Sequence, residues 1–340
     1  MSARAPAQTT ADLYGCSVKA LDEGAIPVDP CPVCDALQAR PRFEVEGVGT
    51  PVVVCTGCGL GRFHPMLGAG LVASFYPDEY YGEPGVKFQP SVEGLVRWVG
   101  RRHIAFLTSG LGPGARVLDV GCGRGVILGA LADRGFEVHG VEVSAEAARG
   151  ADPRAEIRIA PRLVDTGYPN AYFDEVLIWH VLEHLSDPPG TLAEVQRILR
   201  PGGRLIVAVP NFASAQARWA GPAWFHLDLP RHLYQFPLEA LRQLLERTGF
   251  DVVSDYHFSL RQNPFGWVQS FLNRRRSLPR NGLYTLLHGR GRGERPPFDA
   301  STRRRLWLWL LLLVGPALLA SMCGALLRSG ATVHVVATRK

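Results

Sequence analysis

A chain of 340 residues, 46% apolar and 20% charged, can bury a sizeable core, which excludes a disordered chain. Its length suits one large domain with accessories, or two domains. The net charge of +6 is modest, but basic residues gather at Arg97–His103, Arg274–Arg280 and Arg290–Arg305; such clusters suit a membrane surface, a phosphorylated substrate or RNA, or form a solvated face.

The N-terminus, MSARAPAQTT, has no apolar run and is read as a flexible tail over residues 1–25, with no signal peptide. Residues 26–66 hold two cysteine pairs, Cys31-Pro-Val-Cys34 and Cys55-Thr-Gly-Cys58, separated by twenty residues that include a β-like run, Pro51–Val54. That spacing predicts a zinc ribbon. Four thiolates close a tetrahedral site and leave no open position for chemistry, so the zinc is structural. Gly57 and Gly59 suit the knuckle around the second pair. Cysteines spent on metal rather than disulfides imply a reducing, cytoplasmic home. Cys16, Cys122 and Cys323 read as ordinary buried thiols. Residues 67–112 mix aromatic and helical stretches and form a helical linker.

From residue 113 to 340 strands and helices alternate, the pattern of a mostly parallel sheet covered on both faces. Expected strands are Arg116–Val120, Glu137–Val141, Ile157–Ala160, Glu175–Trp179, Arg204–Val209, Asp251–Tyr256 and the tail ATVHVVATRK. Expected helices include Ile127–Arg134, Leu192–Leu199 (stopped by Pro201-Gly202-Gly203) and Leu238–Arg247. Residues 262–330 form an insertion before the last strand.

Residues 117–125 read VLDVGCGRG: an apolar strand runs into Asp119, then Gly121, Gly123 and Gly125 lead into a helix. Glycines let the backbone turn sharply and approach a ligand closely, at the carboxyl end of a strand where open α/β sheets bind ligands. A dinucleotide loop would want GxGxxG; here the third glycine comes one residue early, which favours S-adenosylmethionine. Glu142, ending the next strand in VEVS, can accept hydrogen bonds from both ribose hydroxyls. With WHVLEHLSDP these segments resemble the class I methyltransferases, especially the branch related to quinone-biosynthesis and sugar methyltransferases, over residues 113–260 and 331–340. The resemblance implies a Rossmann-like α/β fold of seven strands whose last runs antiparallel. It also implies that Asp119 and the glycines hold the methionine part and Glu142 the ribose. Where the family often places an acid for the adenine amine, this chain has Pro161-Arg162-Leu163; Asp165 is the substitute.

For the acceptor, His180, Glu183 and His184 are spaced i, i+3, i+4 and would share one face of a helix. His180 can serve as general base, histidine being the side chain that changes charge near neutral pH. Alternatively the three bind a divalent metal that acidifies an acceptor hydroxyl, or Glu183 and His184 fix the loop. Trp179-His180-Val181-Leu182 lacks the Asn-Pro-Pro-aromatic run of amino-methylating DNA enzymes. The stretch PNFASAQARWAGPAWFHLDLPRHLYQF suits a substrate lid, with Trp224, His226, Arg231 and the second proton acceptor, His232, as site residues and Asp228 beside them; Trp219 and Trp224 can equally pack the lid.

Leu306–Leu327 is almost wholly apolar and long enough to span a bilayer. A spanning helix would strand the last β-strand away from its sheet. The expected solution is a helix broken at Gly315-Pro316 that dips into one leaflet, its flanking arginines among anionic headgroups; a buried helix pair is the other. The expected activity is methyl transfer to a small-molecule acceptor (a sugar, a lipid-linked glycan or a lipid-like compound) by a cytoplasmic protein peripheral at the inner membrane face. An RNA methyltransferase gripping RNA with ribbon and basic patches is the alternative, disfavoured because those patches lack interleaved aromatics; a cofactor-binding scaffold without catalysis is the third.

Overall fold

The computed structural model describes residues 17–76, 104–275, 277–287 and 298–340. Cys16, the Arg97–His103 cluster, most of the tail and much of the expected linker lie outside these residues.

Two sheets organise the chain. The first is a small antiparallel sheet near the N-terminus: β1 (Val18–Ala20), β2 (Ile26–Pro27), β3 (Gln38–Val45), β4 (Val52–Cys55) and β5 (Gly61–Phe63), followed by the short helix α1 (Ala69–Ser74). The sequence pattern predicts one strand here, at Pro51–Val54, and does not mark β3. Yet β3 alternates strictly between exposed and buried side chains, the period of a half-buried strand; its charged outward residues masked the run.

The second sheet has seven strands in the order β12-β13-β10-β9-β6-β7-β8. In chain order the elements are β6 (Arg116–Val120), α2 (Val126–Ala132), β7 (Glu137–Glu142), β8 (Glu156–Ile159), β9 (Phe173–Trp179), α3 (Pro188–Ile198), β10 (Leu199–Pro210), α4 (Ala215–Ala220), β11 (Tyr234–Gln235), α5 (Leu238–Arg247), β12 (Phe250–Tyr256), α6 (Asn263–Asn273), α7 (Gly282–Leu287), α8 (Ala300–Leu326) and β13 (Thr332–Arg339). β8, β7, β6, β9 and β10 pair in parallel, and β13 inserts antiparallel between β10 and β12. The expected antiparallel seventh strand is therefore present, buried along most of its length. β6 and β9 carry near-continuous apolar runs because both of their faces are covered.

Several boundaries move. α3 begins at Pro188, earlier than the apolar pattern suggested, because Pro sits at the first helical position and Asp187 caps it by accepting from the Gly190 N–H at 3.0 Å. The Pro201-Gly202-Gly203 turn does not separate elements: strand pairing with β9 starts at Leu199 and resumes at Arg204 after a register shift.

The largest correction is at the apolar segment. α8 is one continuous helix of 27 residues with Pro316 inside it, not a helix broken at Gly315-Pro316. Proline removes one helical N–H and crowds the preceding turn, but Leu313 and Ala317 on either side pack into a cluster with Val268, Leu272, Leu283 and Leu306, which holds both halves in line. Cys323 on this helix is exposed, not buried as expected, whereas Cys122 is buried.

A later strand, β11, completes the first sheet. β5 pairs antiparallel with β11, Tyr234 opposite Arg62 and Gln235 opposite Gly61. A Cβ on Gly61 would lie 2.8 Å from Gln235 Cβ, so a larger residue there would force the strands apart. Arg247 at the end of α5 donates to the Val33 carbonyl at 2.6 Å and pairs with Asp35 at 2.9 Å. One apolar core accordingly runs from Val33, Phe43 and Phe63 through Trp224 and Leu229 to β10 and β13.

Candidate active site and cysteine cluster

The glycine loop leaves β6 at Asp119. Gly121, Gly123 and Gly125 all adopt positive φ, at 72°, 50° and 63°, the region open to glycine without a Cβ penalty. At Gly121 space is also closed: a Cβ would sit 2.4 Å from Val181 Cγ2. Glu142, at the end of the neighbouring β7, reaches back to the loop, its carboxylate accepting from the Gly123 N–H at 2.9 Å and the Val143 N–H at 2.7 Å. Asp119 is buried beside it. Burial, then the nearby Glu142 charge, push the Asp119 carboxyl up to about 8; a cation beside it would favour the ionised form. Gly140, which no sequence motif marks, keeps the strand beneath the loop thin; a Cβ there would lie 2.6 Å from Cys122 Sγ. Asp165 stands on a short 3-10 turn after β8, paired with Arg162 at 2.7 Å. An adenine amine would therefore compete with Arg162 for it.

Across the sheet ends, His180 leaves β9 in the left-handed region at φ 54°, an uncommon conformation for a side chain other than glycine. The expected helix over this motif is instead a 3-10 turn, Leu182–His184, with His180 outside it. The strained residue turns the chain back, and Glu183 still meets His180: Nδ1 lies 3.4 Å from Glu183 Oε1. The His180 Nε2 is buried without a hydrogen-bond partner among the described residues, as are both Glu183 oxygens. Glu183 is 1% exposed. Burial pushes its carboxyl up, but His180, His232 and His184 outweigh that and hold it below the usual range.

The lid supplies the rest. His232 Nδ1 donates to the His226 carbonyl at 3.0 Å, which leaves its Nε2 as an acceptor, 3.9 Å from Glu183 Oε1 and 3.8 Å from Asp228 Oδ2. Burial, and next His184, lower the His232 imidazole to about 4; burial, and next His180, lower His226 to about 3. Both rings are neutral at pH 7. His184 Nδ1 lies 2.9 Å from the Tyr76 hydroxyl and 3.1 Å from the Arg231 carbonyl. Glu183, His184 and His232 each bring a ligand atom within 4.8 Å of the others. Arg231 pairs with Asp228. Trp224, expected at the acceptor, is 1% exposed in the shared core, its indole N–H given to Gln216 at 3.0 Å; it anchors the lid. Gln216 and Tyr76 were not singled out from sequence, since nothing local marks either as a neighbour of this cluster.

Comparison with known proteins places this geometry. A family profile described as a methyltransferase domain matches residues 97–255. The chain is 32% identical over 179 residues to a ubiquinone biosynthesis O-methyltransferase of Maricaulis maris, covering 49% of this chain and 69% of that protein. The chain belongs to the class I S-adenosylmethionine-dependent methyltransferases. This methyltransferase is also 33% identical over 142 residues to a probable S-adenosylmethionine-dependent methyltransferase of Mycolicibacterium smegmatis (41% of this chain, 53% of that one). It is 30% identical over 164 residues to a malonyl-[acyl-carrier protein] O-methyltransferase of Serratia marcescens (47% and 63%). Among solved structures, an S-adenosylmethionine-dependent methyltransferase of Archaeoglobus fulgidus aligns over 72% of this chain and 94% of its own, with 17% identity and a TM-score of 0.44.

In the N-terminal sheet of the methyltransferase, the Sγ atoms of Cys31, Cys34, Cys55 and Cys58 lie within 4.8 Å of one another. Cys31 and Cys58 are 3.6 Å apart, Cys34 and Cys55 3.5 Å. Tetrahedral zinc with bonds of about 2.3 Å sets sulfurs roughly 3.8 Å apart, so the four thiols fit the ion. The Gly57 N–H also points at Cys55 Sγ, 3.3 Å away, and a Cβ on Gly57 would crowd Cys34 Sγ at 2.9 Å.

Proposed function

We propose that this methyltransferase methylates a hydroxyl of a small-molecule acceptor, a sugar, lipid-linked glycan or lipid-like compound, in the cytoplasm at the membrane surface, with His180 as general base. The observation that carries the reading is the His180–Glu183 pair. It stands at the carboxyl end of β9, next to the glycine loop's strand β6, with Nδ1 turned to a buried carboxylate and Nε2 unengaged. The relatives named as O-methyltransferases support an oxygen acceptor.

S-adenosylmethionine, bound in the Gly121–Gly125 loop, supplies a methyl group on a sulfonium. Asp119 and the glycine loop would hold the methionine part, Glu142 the ribose and Asp165 the adenine amine. Holding acceptor and methyl in line contributes up to ~7–11 kcal/mol. His180 takes the hydroxyl proton at Nε2 while Glu183, on the Nδ1 side, stabilises the imidazolium that forms; such a base is worth ~10²–10⁴-fold. His226, His232 and Arg231 line the acceptor side, neutral rings and a paired cation that exclude water without repelling the incoming hydroxyl. The four cysteines would hold a structural zinc, and the β5–β11 pairing would make that ribbon a brace for the lid.

His180→Ala should lower kcat by about 10²–10⁴-fold and leave cofactor affinity within twofold. Glu183→Gln should lower kcat, because the imidazolium that forms loses its countercharge. Unchanged kcat in His180→Ala would assign the proton to another group.

A further inference from the structure

The helix α8 poses a problem that neither sheet solves. It is apolar all the way round, with no charged side chain from Leu306 to Leu327, and only half of it is covered. Leu306, Leu310, Leu313 and Ala317 pack on α6 and α7, and Phe271 meets Trp309 with ring centroids 5.3 Å apart. The opposite arc is bare: Leu308, Leu311, Leu312, Leu319, Met322 and Leu326 are all exposed, Leu311 to 71% and Leu319 to 63%. At 1.5 Å per residue this bare strip runs about 30 Å, and apolar strips of that size on a protein surface mark an interface.

We propose that α8 lies flat on an anionic bilayer, the bare arc sunk in one leaflet and the arginines at its start among the headgroups. This rests on the reading of a membrane-surface acceptor and names the surface that reaches it. Three observations favour lipid. First, α8 packs on α6 and α7 from Leu306 to Ala317 and passes within a few residues into β13, inside the sheet; the body alongside leaves one side for the bilayer. Second, its N-terminal end carries Arg303, Arg304 and Arg305 next to the exposed Trp307. Basic and indole side chains together suit the headgroup layer. Third, no acidic residue occurs between Ala300 and Leu327. A second copy docked twofold on this face would set the arginines against each other or against Leu326 and Leu327, with no anion to meet them.

The other face of α6 holds the lid. The Phe225 N–H donates to Ser270 Oγ at 2.9 Å, Asn273 Nδ2 to the Ala223 carbonyl at 3.2 Å and Arg274 to the Trp219 carbonyl at 2.7 Å. One helix thus separates the bilayer surface from the lid, and the acceptor class that follows is a lipid or lipid-carried molecule resident in that leaflet.

The test is flotation of the full chain with phosphatidylcholine vesicles, with and without one-third phosphatidylglycerol. The wild type should float with the anionic vesicles and detach in high salt. Leu311→Gln with Leu319→Gln, both at exposed positions, should cut vesicle binding at least tenfold, and Arg304→Glu with Arg305→Glu should abolish the preference for phosphatidylglycerol. S-adenosylmethionine affinity, measured by calorimetry, should stay unchanged in both variants, so loss of membrane binding is read apart from failure of the cofactor reading. Wild type remaining at the bottom of the gradient, or the leucine variant floating as well as wild type, would overturn the proposal. So would a dimer in light scattering that this variant converts to monomer, which would make a second copy the occupant.

Discussion

The two halves of the proposed site are assembled in opposite ways. The cofactor half is contiguous: Asp119, the three glycines and Glu142 come from one strand–loop–helix–strand unit, and their contacts, such as Gly123 to Glu142, join residues close in sequence. The acceptor half is gathered from afar. His180 and Glu183 come from the end of β9, His226 and His232 from the lid, Tyr76 from beyond the N-terminal sheet, and the lid is stitched by β11 to β5. A local unit can be read from a motif and should fail locally. A gathered one depends on distant braces and should fail when they do.

The largest effect should come from breaking the local half. Gly121→Val places a branched side chain where φ is 72° and Val181 already fills the space. S-adenosylmethionine affinity should drop more than 100-fold in calorimetry, with little change in the far-ultraviolet circular dichroism of the sheet. Equal affinity would remove the loop from the cofactor site.

The distant brace comes next. One zinc per chain is expected by elemental analysis. Cys31→Ser with Cys34→Ser should release it and lower methyl transfer at least tenfold, through the β5–β11 link, while S-adenosylmethionine still binds. Retained zinc would place the ligands elsewhere; full activity without zinc would show that the halves are independent.

A smaller effect sharpens the contrast through protons. The folded Asp119 carboxyl is raised from its ordinary 3.8 to about 8 by burial and by Glu142. Its contribution to stability is therefore full below about pH 4 and is lost as pH rises toward 8, since the unfolded chain ionises first. A sulfonium and an ammonium arriving nearby reverse this by favouring the carboxylate. Binding at pH 6.5 should release close to one proton, seen by calorimetry in buffers of different ionisation enthalpy, and affinity should rise roughly 50-fold from pH 6 to 8. Asp119→Asn should flatten both; proton release unchanged in that variant would point to another group.

The same contrast explains what was legible. Glycine spacing, acidic strand ends and two CxxC pairs are local patterns that follow from backbone and ligand geometry, so the seven strands, the glycine loop and the cysteine cluster could all be read. His180, Glu183 and His184 were singled out by a helical spacing that the chain does not adopt; they converge because the left-handed turn at His180 replaces the helix. Trp224 carried no sign that Gln216 would take its indole N–H into the core. Pro316 read as a break because a proline's cost is local, whereas the packing that keeps α8 straight comes from α6 and α7, dozens of residues earlier.

The central claim is tested most directly by following the methyl group. Wild-type protein, S-adenosylmethionine labelled in the methyl carbon and membranes from the source cells should yield label in a solvent-extractable compound. Gly121→Val should yield none, and His180→Ala about 1% or less of the wild-type rate, given the ~10²–10⁴-fold worth of a general base. Label appearing in RNA, or no transfer by a protein that demonstrably binds the cofactor, would contradict the account.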